Sequence, residues 1–90
     1  MKRQEVYELI DNERDYQDSM WNENTTSTKG IHSPDEWVLY MQDYLSEARH
    51  ILARQPSDIA IKKAMAIIRK VTAMGVHAME QIETPDRFAL

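Results

Sequence analysis

Three carboxylates, Glu36, Asp43 and Glu47, recur at i, i+7 and i+11. At about 100° per residue this spacing puts them in one narrow band of a helix, with Tyr40 among them. Oxygen donors in line suit a hard divalent cation such as Mg²⁺, with a partner phosphate supplying further ligands. A solvated or ion-paired helix flank has the same pattern, so both readings stay open. Further along, Lys63, Lys70 and His77 stand at i, i+7 and i+14. The two ammonium groups are expected either to receive the phosphates of a nucleotide or to pair with Asp43 and Glu47 across an antiparallel helix pair, each exposed pair being worth little. Glu47-x-x-His50 is half of a di-iron bundle motif, but the other half is missing, because His77 and Glu80 run in reverse order. His32 is expected in a loop, His50 near a helix end and His77 on an exposed flank. There is no glycine-rich phosphate loop, G-x-S-x-G elbow, H-E-x-x-H or cysteine, so no nucleophile is assigned and the catalytic residues are unknown.

Rigid helices must carry these groups. Two glycines and three prolines divide the chain into three segments of helical period, which predicts an all-α fold with helices at about 2–21, 34–54 and 57–83. Val6, Leu9, Ile10, Tyr16 and Met20 form the apolar stripe of the first helix. The stretch 22–33 is rich in Asn, Thr, Ser and Gly and reads as a flexible loop within a single domain spanning 1–90. Ser33-Pro34-Asp35-Glu36 is a capping box with proline at the first helical position. Trp37, Met41, Tyr44, Ala48 and Ile51 then repeat at 4-3-4-3 up to Gln55-Pro56. Ser57 is placed to cap the third helix, whose seam Ile61, Ala64, Ile68, Val71, Gly75, Ala78 and Ile82 alternates by three and four. Glycine at position 75 costs about 1 kcal/mol in mid-helix and points to close approach of another backbone. A third helix roughly 39 Å long outruns a compact domain of this size, and its apolar arc is wider than one seam. The prediction is therefore a homodimer or larger helical bundle.

Composition narrows the partners. The chain has 90 residues and a net charge of −4, which gives no broad positive field for nucleic acid. Its N-terminus is interrupted by charge, and its longest weakly polar run, 71–79, is too short to cross a bilayer, so a soluble cytoplasmic protein without membrane attachment is expected. Six methionines lie mostly on helical stripes and read as core filling.

Several segments together resemble a known family: Glu13 to Asp18 with Trp21, Ser33 to Trp37, Tyr44-Leu45 with Ala48-Arg49, and Ile68 to Gln81. They are similar to small phage-type MazG-like proteins of the all-α nucleoside triphosphate pyrophosphohydrolases. The resemblance covers most of the chain. It implies an oligomeric helical bundle that uses Mg²⁺ to cut a nucleotide between its α and β phosphates. It also implies metal ligands among Glu36, Asp43 and Glu47, with Lys63 and Lys70 near the phosphates. The family's E-x-x-E pattern is met only loosely, by Asp43 and Glu47 four apart, and its E-x-x-D pattern is missing, since no carboxylate lies between Asp58 and Glu80. Two expectations follow: a MazG-like nucleotide-binding protein with weakened or lost hydrolysis, or a non-enzymatic phage accessory factor that binds a host protein through an acidic helical surface.

Overall fold

The computed structural model describes residues 1–54 and 57–89. They form three helices and no strand: α1 (Arg3–Met20), α2 (Pro34–Arg54) and α3 (Asp58–Gln81). The expected stop signal at Gln55-Pro56 lies outside the described residues. Local chemistry sets the other helix boundaries. Ser33 N–H donates to Glu36 Oε1 at 2.9 Å and Glu36 N–H to Ser33 Oγ at 3.2 Å, so the capping box that starts α2 is complete. Ser57 Oγ accepts from Ala60 N–H at 3.1 Å at the start of α3. No described helix is long and apolar enough to cross a membrane.

Both α1 and α2 pack on α3, and they do not pack on each other. Trp37 and Ala48 of α2 are buried, as are Ala60, Ala64, Val71 and Met74 of α3. Ala73 is fully buried on the opposite side of α3, where α1 lies. The α1 packing is partly polar, although its positions continue an apolar stripe from Ile10. Arg14 and Gln17 follow that residue at i+4 and i+7, and both are buried. Gln17 Nε2 donates to the Lys70 carbonyl at 3.1 Å. Arg14 makes two parallel bonds to Glu80, Nε to Oε1 at 2.8 Å and Nη2 to Oε2 at 2.9 Å, with Asp18 also 2.9 Å from Nη2. Glu13 accepts from Arg69 Nε at 2.9 Å.

With its outer helices apart, the chain is open. Its radius of gyration is 14.7 Å, against about 12 Å for a compact domain of this length. The loop between α1 and α2 crosses one end of the resulting cleft. Its turn requires glycine: Gly30 has φ +74°, and a Cβ there would lie 2.9 Å from the Trp21 carbonyl oxygen.

Two outcomes follow for stability. Gly30→Ala combines left-handed strain with that clash and should cost about 1–2 kcal/mol, read as a lower urea midpoint with unchanged slope. Glu80→Gln should cost about 1–2 kcal/mol at pH 7, a figure discounted because Glu80 is half exposed. Arg14 holds the Glu80 carboxyl below the usual carboxylate range. Its stabilisation is therefore present above the unfolded value of about 4.3 and lost as pH falls through the lower folded value. The melting difference between wild type and Glu80→Gln should close below about pH 4.

Candidate functional site

The cleft ends in a cavity of about 260 Å³ bounded by all three helices and the loop. The C-terminal end of α1 brings Gln17 and Trp21, the loop brings Thr26, Thr28, Gly30 and His32, α2 brings Trp37, Tyr40 and Tyr44, and α3 brings Lys70, Met74 and His77. Four aromatic rings form one continuous wall. His32 meets Trp37 edge-on at 4.9 Å between centroids and Tyr40 at 5.1 Å, and Trp37 lies 5.0 Å from His77. Across from them Lys70 Nζ sits 3.9 Å from the centroid of Tyr44 and 5.9 Å from that of Trp21. Among the described residues no carboxylate pairs with Lys70; the ion pairs are Arg14 with Asp18 and Glu80 and Arg69 with Glu13, while His32 Nδ1 lies 3.8 Å from Glu36 Oε2.

Gln81 ties this wall together. Its Oε1 accepts from Trp37 Nε1 at 3.1 Å and from the His32 backbone N–H at 3.3 Å, while its Nε2 donates to the Gly30 carbonyl and to His77 Nε2 at 3.1 Å. One amide thereby uses all four of its hydrogen-bonding sites on three elements. The bond to His77 requires an unprotonated Nε2, which agrees with the direction of its pKa. Burial first, then the Arg14 charge, push His77 below its ordinary value, with Asp18 and Glu80 opposing and His32 adding slightly. Gln17, 2% exposed, has an amide oxygen with no partner, and His32 Nδ1 is likewise buried without a hydrogen bond. Polar groups left unpaired at a cavity wall carry a cost that a ligand or a rearranged loop can relieve.

The residues singled out from the sequence separate in space. Of the candidate metal and phosphate ligands Glu36, Asp43, Glu47, Lys63 and Lys70, Lys70 alone lines the aromatic cavity, where His32, Tyr40 and His77 join it. Asp43 and Glu47 line a shallow depression on the flank of α2 with His50 and Arg54, so Glu47-x-x-His50 does reach one surface. Glu36 stands roughly 10 Å along the helix from Asp43, and its Oε1 is occupied by the Ser33 cap. That bond, first of all, draws its carboxyl below the ordinary range. Lys63 lines a third depression with Arg54, Ser57 and Ala60. Neither lysine pairs with Asp43 or Glu47 among the described residues, and no three His, Asp or Glu side chains there converge as a metal would need. His77, expected on an exposed flank, is instead half-buried in the cavity wall, because the loop folds back over that side of α3. Among the described residues Gly75 meets no foreign backbone; an added Cβ would find Met41 Cε, at 3.6 Å.

Some wall residues carried a signal. Tyr40, Tyr44 and His77 sit at recognisable helix positions, and the buried polar pair Arg14 and Gln17 interrupts an apolar register. Nothing local marks Gln81, whose four partners lie in the loop, on α2 and one turn back on α3. Comparison with protein-family models, curated proteins and solved structures finds no match. The site therefore rests on the chain's own geometry.

Removing the amide should open the cavity. Gln81→Leu orphans Trp37 Nε1 and the Gly30 carbonyl, and should cost about 2 kcal/mol. Amide exchange should accelerate at Gly30 to His32 more than in the middle of α3. Protonating His77 would set two donors face to face. With its folded pKa below the unfolded value of about 6.5, stability should fall as pH drops from 7 through the folded value, and His77→Gln should flatten that part of the melting profile.

Proposed function

We propose that this protein is a self-associating helical nucleotide-binding protein whose aromatic cavity takes the base. The observation that carries the reading is the pairing of a ring-lined cavity with a cation that has no acidic partner among the described residues. At about 260 Å³ the cavity falls just below the roughly 300–1,000 Å³ of sites for drug-sized ligands. It suits one ring system rather than a whole nucleotide. Stacking a base on aromatic side chains is worth about 1–3 kcal/mol and needs no particular base identity. Lys70 is attracted to Tyr44 in the absence of ligand, and its flexible stem lets the ammonium swing to a phosphate at the rim. The MazG-like resemblance supports the same ligand class.

Hydrolysis stands apart from this reading. Asp43 and Glu47 face a different surface from the cavity, and among the described residues no third His, Asp or Glu converges with them. Mg²⁺ ligation by Glu36, Asp43 and Glu47, with Lys63 at the phosphates, would be completed by carboxylates from a second copy. The alternative function, recruitment of a host protein through an acidic helical surface, draws support from Asp43 and Glu47, which line a depression on the flank of α2 and pair with no cation among the described residues.

The test is thermal melting with a panel of nucleosides and nucleoside triphosphates, with and without Mg²⁺. A ligand at 100 times its dissociation constant stabilises the fold by about 2.7 kcal/mol, which is on the order of ten degrees for a domain of this size. Lys70→Met should remove the extra stabilisation given by the phosphates while sparing that given by the nucleoside. Tyr44→Leu should weaken both. Absence of a shift with every nucleotide would sink the reading in favour of a protein partner.

A further inference from the structure

We infer that the flank of α3 facing away from the cavity is a self-complementary seam on which a second copy of this chain packs antiparallel, crossing near Thr72. This deepens the self-association part of the reading above and does not depend on the ligand.

The first observation is surface area. The chain exposes 7235 Å², whereas a compact monomer of 10.6 kDa exposes about 5,500 Å². The excess is roughly 1,700 Å², about twice the 800 Å² that each partner hides in a standard interface and within the range of permanent dimers. A protein this small can ill spare that burial for its own stability.

The second observation is where the apolar surface lies. Ile61, Met65, Ile68 and Met79 are 42–55% exposed, and at about 100° per residue they share one side of α3 with Thr72 and Gly75. The buried Ala64 and Val71 turn toward α2, Ala73 toward α1, and Lys70 and His77 toward the cavity, so among the described residues no helix packs on this side, and Met41 of α2 reaches only its Gly75 edge. The spacing is nearly palindromic about Thr72. An antiparallel copy would set Met65 against Met79, Ile68 against Gly75 and Thr72 against itself, as a two-fold interface requires. Ridges spaced by three and four are what helix pairs interdigitate. On α2, Val38 and Leu45 lie on the flank opposite to the carboxylates and are also exposed, extending the same apolar face.

The third observation is Gly75. Its mid-helix position costs about 1 kcal/mol relative to alanine, yet the only neighbour within 4 Å of an added Cβ is the flexible end of Met41, at ordinary contact distance. Packing within the chain does not require glycine there. A facing Ile68 from a second copy supplies the missing reason.

Absence of cysteine makes the test clean. Sedimentation equilibrium of the full chain should show a dimer, or an even multiple of one, at micromolar concentration. Met65→Glu combined with Ile68→Glu should raise the dissociation constant at least a hundredfold. Thr72→Cys alone should oxidise to a covalent dimer, whereas Ser46→Cys, on the outer surface of α2, should not; this arm requires no disruptive change in the seam. A monomeric wild type without cross-linking at position 72 overturns both the seam and self-association. A dimer that survives the two glutamates and cross-links through position 46 but not 72 overturns the seam and leaves self-association standing.

Discussion

Everything around the cavity depends on a single side-chain amide. Gln81 sits at the last turn of α3, where helix geometry leaves carbonyl groups free and the chain is about to depart. From there its Oε1 and Nε2 reach the loop backbone, the Trp37 indole and the His77 ring. Among side chains, the amide of Asn or Gln is the group that both donates twice and accepts twice. A carboxylate could not donate to Gly30 or His77, and an ammonium could not accept from Trp37. The loop's left-handed turn at Lys29 and Gly30 brings the Gly30 carbonyl and the His32 amide to the same spot. Capping, turn and aromatic wall thus form one cooperative unit whose weakest member sets the stability of the site.

The second organising feature is the position of α3 between two helices that never meet. A helix packed on two sides divides its remaining surface into two flanks. On one flank the loop closes a cavity lined by rings and Lys70. On the other, none of the described residues returns. The wide apolar arc of α3 is thereby divided among a core, a cavity wall and an exposed flank, and the small residues Ala60, Ala64 and Ala73 are buried against its neighbours. An open molecule of this kind trades monomer stability for surface, and the trade is sustainable when another copy buries what one chain cannot.

Charge follows the same division. The buried cation of the fold, Arg14, makes two parallel bonds to Glu80 and one to Asp18, its Nη1 is buried without a partner, and its charge helps keep the neighbouring His77 neutral. The exposed carboxylates of α2 make no ion pair with the lysines of α3 among the described residues. Lys70 turns to aromatic faces instead. A cation held by rings is less firmly committed than one held by a carboxylate, so it remains available to an incoming anion.

The sequence by itself determined the three helices, because capping chemistry and period-3.6 patterning act within one or two turns. The Ser33 box, the Ser57 cap and the core positions Trp37, Ala48, Ala64 and Val71 were all legible there. Grouping of side chains into sites was not. Glu36, Asp43 and Glu47 share a helix face, but rise along the axis separates the first from the others, and its carboxylate serves the cap. His77 looked exposed on its own helix and became half-buried only because a loop some 45 residues earlier folds over it. Gln81 shows no local pattern at all, since its four bonds exist only after the chain has returned on itself. Periodicity records which face of a helix is apolar; which neighbour covers that face, and which flank is left open, is settled by the order and angle in which the helices pack.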